Sequence, residues 1–131
     1  MTRLSGRRLR VPAALLAITA GAVACSSGSG SGPETAITAT DSECRVGKTN
    51  LTTGKNTFVV VNKGDKVTEV YIYGAGDKVV TEKENIGPGT TVRVTASLPA
   101  GVYEVACKPG QRGSGIRQSI TVADAATSTT R

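Results

Sequence analysis

Between residues 90 and 98 the chain alternates cleanly: Val92, Val94, Ala96 and Leu98 fall on one side of an extended strand, and Arg93, Thr95 and Ser97 on the other. A two-residue period marks a sheet with one buried face and one wet face. Shorter runs rich in Val, Ile, Thr and Tyr predict further strands over 36–40, 57–62, 67–73, 79–86, 102–107 and 118–122. Residues that supply turn geometry punctuate them: Asn62-Lys63-Gly64-Asp65, Gly74-Ala75-Gly76-Asp77, Gly87-Pro88-Gly89, Pro99-Ala100-Gly101, and a long loop over 109–115. No helical period follows residue 25. About seven short strands, each with one apolar face to cover, predict an all-β fold in which two sheets pack face to face as an antiparallel sandwich.

The first 24 residues follow a different rule. Arg3, Arg7, Arg8 and Arg10 precede an apolar run over 11–24 that is interrupted only by Pro12, Thr19 and Gly21. That run is shorter than the about 20 apolar residues needed to span a bilayer. A basic start, a short apolar middle and small residues at the end are the parts of a secretory signal. Its last residues, Gly21-Ala22-Val23-Ala24-Cys25, resemble the lipobox of bacterial lipoproteins, with Ala22 where a larger aliphatic residue is usual. The resemblance implies an acylated Cys25 and a protein held on the outer face of the cell membrane. Residues 25–34 read as a Gly/Ser tether, 35–123 as the folded domain, and 124–131 as a disordered tail.

Removing the signal changes the electrostatics. The whole chain has 16 basic and 10 acidic residues for a net +6; four arginines leave with the signal, so 12 face 10 in the remainder, a net of +2. The remaining Lys and Arg are scattered, without the basic stripe or aromatic platforms of a nucleic-acid binder, so no nucleic-acid partner is expected. Phe58, Tyr71, Tyr73 and Tyr103 are the only aromatic residues. A small core of Val and Ile calls for a covalent staple. With no His, no nucleophile beside an activating partner and no phosphate-binding loop, no enzymatic activity is expected.

The C-terminal part is informative. Tyr103-Glu104-Val105-Ala106-Cys107-Lys108-Pro109, a Gly-rich loop and Ile120-Thr121-Val122 resemble the last two strands of the cupredoxins, in which a strand ends in a metal-binding Cys followed closely by Pro. In blue-copper members that loop supplies His and Met ligands. Here it reads Gly110-Gln111-Arg112-Gly113-Ser114-Gly115, and the chain has no His. A type 1 copper site needs two imidazoles beside the thiolate and is therefore excluded.

A resemblance to one branch of the cupredoxins covers nearly the whole domain. Cys44, Lys66-Val67-Thr68-Glu69, Val79-Val80-Thr81-Glu82-Lys83-Glu84-Asn85-Ile86-Gly87-Pro88-Gly89 and Ala106-Cys107-Lys108-Pro109-Gly110 are similar to the N-terminal domain of the EfeO family, the extracytoplasmic component of a bacterial iron-uptake system. The resemblance implies a cupredoxin-like Greek-key sandwich, here read as free-standing, with an iron or copper ion as ligand. Its implied partners are the permease or peroxidase components of an uptake system, in addition to the membrane reached through the lipid anchor.

The candidate metal ligands on this reading are Glu69, Glu82, Glu84, Cys44 and Cys107. Each has a plainer alternative. Cys44 and Cys107 are an even pair in an oxidising setting, where a disulfide competes with a metal site. Glu69 shares its strand face with Tyr71 and Tyr73 and reads on its own as a solvated carboxylate. Glu82 and Glu84 are expected on one face with Val80 and Ile86, and read on their own as an exposed edge. As free thiolates the cysteines would favour Cu(I) or Zn(II); as a disulfide they leave three carboxylates for a hard ion. Two functions follow: a surface-anchored metal-binding module, or a metal-free structural or docking domain of an envelope or iron-uptake complex.

Overall fold

Two sheets face each other across a core of β-branched and aliphatic side chains. The computed structural model describes residues 33–126. The signal segment, Cys25, the tether before Pro33 and the tail after Ala126 lie outside the described residues. Nine strands run in the order β1 (Glu34–Ala39), β2 (Cys44–Val46), β3 (Asn50–Thr52), β4 (Gly54–Asn62), β5 (Thr68–Tyr73), β6 (Val79–Ile86), β7 (Thr91–Leu98), β8 (Gly101–Pro109) and β9 (Ile116–Ala123). One sheet has the order β2-β1-β4-β7 and the other β3-β9-β8-β5-β6.

The all-β sandwich agrees with the period-two pattern, and two details differ from the expectation. Strands β2 and β3 have three residues each, too few for an alternation to show in the sequence. They also change the chain path. Strand β1 pairs in parallel with β4, and β3 in parallel with β9, while the remaining pairings are antiparallel. Parallel neighbours need a crossover instead of a hairpin, and residues 44–52 supply it by passing from one sheet to the other.

Phe58, Ile37, Ile72, Ile86, Leu98 and Ile120 fill the centre, each essentially without solvent contact. Burial of each such side chain stabilises the fold by roughly 1.5–3 kcal/mol. Asn62 is buried with them. Its Nδ2 donates to the Lys66 and Ile86 carbonyls, both at 2.8 Å, and its Oδ1 accepts from the Gly64 amide at 2.9 Å. These bonds tie the β4–β5 connection to the end of β6 at one end of the sandwich, where the 109–115 loop also lies. The chain enters and leaves at the other end: Pro33 accepts from the Thr57 amide, and Ala123 from the Thr53 amide.

Candidate metal centre

Strands β5 and β6 carry the candidate carboxylates to the outer face of the five-stranded sheet. Along β5, Val70 and Ile72 point into the core, while Glu69, Tyr71 and Tyr73 alternate with them on the other side. Glu82 stands directly across from Tyr71, and the Tyr71 hydroxyl donates to Glu84 Oε1 at 3.2 Å.

The placement of Glu84 depends on an irregularity. Thr68 pairs with Ile86 and Val70 with Lys83, so Glu84 and Asn85 together oppose Glu69 alone. This is a β-bulge, and Asn85 takes a left-handed backbone at φ 56°, one of the few residue types that does so readily. Gln111 Nε2 donates to Asn85 Oδ1 at 2.8 Å and holds it from the C-terminal loop. The extra residue reverses the phase of the strand, turning Ile86 into the core at 1% exposure while Glu82 and Glu84 stay outside. The expectation that Ile86 shares their face is therefore corrected.

All three carboxylates act on one phenol. The Tyr71 hydroxyl is held well above the ordinary tyrosine range, first by partial burial, then by the charge of Glu69, the hydrogen bond to Glu84 and the charges of Glu82 and Glu84. Cations share the face. Lys108, paired across from Glu69, places its Nζ 3.8 Å from the Tyr71 ring centre and 5.8 Å from that of Tyr73. The two rings stack with centroids 5.4 Å apart. Arg117 lies 4.6 Å from the Tyr73 ring and bonds Asp77 at 2.6 Å and Glu104 at 2.7 Å. Tyr71, Lys108, Glu104 and Arg117 were not legible as site residues, because only cross-strand register brings them together.

The donor set on this face is all oxygen, which suits a hard cation. Among the described residues, however, no three His, Cys, Asp or Glu side chains form a ready metal cluster. The carboxylates surround Tyr71 without converging on one point. Being exposed at their tips, Glu82 and Glu84 are free to change rotamer.

Cys44 and Cys107 do not belong to this face. They form a disulfide with Cα atoms 5.5 Å apart, joining β2 of one sheet to β8 of the other. That separation is the one a disulfide requires. Bonded sulfurs present no thiolate, so the reading of Cys44 and Cys107 as metal ligands is corrected to the disulfide reading for the oxidised protein. Cys107 is fully buried and faces the core, on the side of β8 opposite Lys108. Cys25 and its expected acylation lie outside the described residues.

Comparison with known proteins bears on both fold and family. Residues 12–122 match the family described as Cupredoxin-like domain. The iron uptake system component EfeO of Escherichia coli K12 is 35% identical over 98 residues, as is that of Shigella flexneri, and in each case the match covers 73% of this chain. The chain spans about a quarter of those relatives, 26% of their length. Among solved structures, sodium-dithionite-reduced auracyanin from the photosynthetic bacterium Roseiflexus castenholzii superposes with a TM-score of 0.55 at 18% identity, covering 72% of this chain and 99% of that one. Identity at that level speaks to fold alone. The family match over most of the chain and the two-sheet sandwich together show that this chain belongs to the cupredoxin-like domain family, in which it is similar to about a quarter of EfeO.

Proposed function

We propose that the chain is an extracytoplasmic metal-binding module serving iron, or alternatively copper, uptake or handling, anchored to the membrane through an acylated Cys25. It performs no catalytic step of its own and passes its ion to permease or peroxidase components of an uptake system. The observation that carries this reading is the gathering of Glu69, Glu82 and Glu84 around the Tyr71 phenol on an exposed sheet face. Carboxylates and a phenol are hard oxygen donors, and their combined negative charge, now offset in part by Lys108, favours a hard trivalent or divalent cation. The similarity to an iron uptake component supports iron over other hard ions.

The redox state of the disulfide divides the chemistry. In the oxidised protein only oxygen donors are offered. Reduction would release two buried thiols, and a soft ion such as Cu(I) or Zn(II) that displaced their protons would gain sulfur ligands. The test is calorimetric titration with iron, copper and zinc, once oxidised and once reduced. Saturable iron binding by the oxidised form is the expected result; absence of saturable binding of any of the three in both states overturns the proposal. A metal-free structural or docking domain is the second reading, favoured by the lack of a three-ligand cluster among the described residues.

A further inference from the structure

At the loop-bearing end of the sandwich, opposite the points where the chain enters and leaves, Lys66, Pro109, Gly110 and Arg112 line a cavity of about 330 Å³. Two of these four residues are cations. Among the described residues, Arg45, Arg93 and Arg117 each bond a carboxylate, whereas neither Arg112 nor Lys66 has a carboxylate within ion-pair distance. The carboxylate of Asp41 is engaged by the backbone: its Oδ1 accepts from the Lys66 amide at 3.2 Å.

The cavity wall is held in place. The Gly110 amide donates to the Val67 carbonyl at 2.8 Å and the Gln111 amide to the Lys108 carbonyl at 3.0 Å. The Gln111 side chain is tied to Asn85 at 2.8 Å. Gly110 has φ 70°, and a Cβ there would touch the Lys66 stem at 3.9 Å, so that stem runs along the glycine. A concave, pre-formed site lined by two cations outside any ion pair attracts anions and disfavours metal ions. The planar guanidinium offers a paired set of donors to carboxylate or phosphate oxygens, and the ammonium adds a mobile point charge. The volume is at the lower end of small-molecule sites.

We propose that this cavity binds a small polyanion bearing carboxylate or phosphate groups. The site is independent of the carboxylate face and stands whether or not that face binds metal. The test uses the chain from residue 26 onward, since both sheets and the whole core fall within it. Citrate and inorganic phosphate are titrated separately at low ionic strength, with calorimetry and amide chemical shifts as readouts. Saturable binding of at least one, with shifts at Gly110 and Arg112, is the expected result, and the tighter of the two identifies the group recognised. Arg112→Gln and Lys66→Gln should each weaken it about tenfold, the loss expected for one charge-assisted hydrogen bond. Arg93→Gln removes the same charge from the four-stranded sheet and should change the affinity less than about twofold. The proposal is overturned if neither anion saturates the wild-type chain, or if Arg93→Gln weakens binding as much as Arg112→Gln.

Discussion

Asn62 ends β4 and makes three side-chain hydrogen bonds from a buried position. Replacing it with Ala leaves the Lys66 and Ile86 carbonyls and the Gly64 amide short of their partners. Each unsatisfied buried group costs about 1–3 kcal/mol. Allowing for partial rehydration at the loops, Asn62→Ala should lower stability by about 3 kcal/mol in urea unfolding, with little change in slope. Tyr71 gives a second prediction at this scale. Its hydroxyl is held above the ordinary value by partial burial and the surrounding carboxylates. The folded protein therefore keeps a proton that the unfolded chain releases near pH 10, and stability from this residue, intact below that pH, falls as pH rises beyond it. The ultraviolet difference between wild type and Tyr71→Phe should show no phenolate from Tyr71 around pH 10, and a full phenolate signal there would contradict the assigned environment. The sequence placed Glu69 beside Tyr71 and Tyr73 through simple alternation. It could not place Glu82 and Glu84 correctly against Ile86, because one left-handed Asn85 resets the phase.

At the scale of elements, seven strands were legible because each is long enough for its alternation or β-branched content to stand out. Strands β2 and β3 were not, and with them went the two parallel pairings, β1 with β4 and β3 with β9. The pairing of Cys44 with Cys107 was open in the sequence between two chemistries, because spacing alone does not say which strands meet. It spans 63 residues between sheets. On the loop-entropy model such a cross-link stabilises the fold by about 4 kcal/mol relative to the open chain. Reduction should therefore lower the thermal midpoint substantially, and neither thiol should alkylate in the folded oxidised protein. Mass spectrometry after iodoacetamide treatment, with and without reductant, reads this directly. Labelling of both cysteines without reductant would contradict it.

At the scale of the molecule, both chain ends leave the sandwich at one end and the cationic cavity opens at the other. The carboxylate face of β5 and β6 lies along the side of the sandwich. The two faces have opposite charge: Glu69, Glu82 and Glu84 around Tyr71, and Lys66 with Arg112 at the loops. The separation was invisible in a net charge of +2. The metal-binding claim rests on the acidic face, and one titration tests it most directly. Oxidised chain from residue 26 onward is titrated with iron(III) supplied as a weak chelate, against a chelator-only blank, for the wild type and for the Glu69→Gln/Glu84→Gln double variant. Gln keeps the shape and removes the charge. The expected result is saturable binding by the wild type, weakened at least about tenfold in the double variant with its far-ultraviolet circular dichroism unchanged. Absence of saturable binding by the wild type, or equal binding by both proteins, would contradict it.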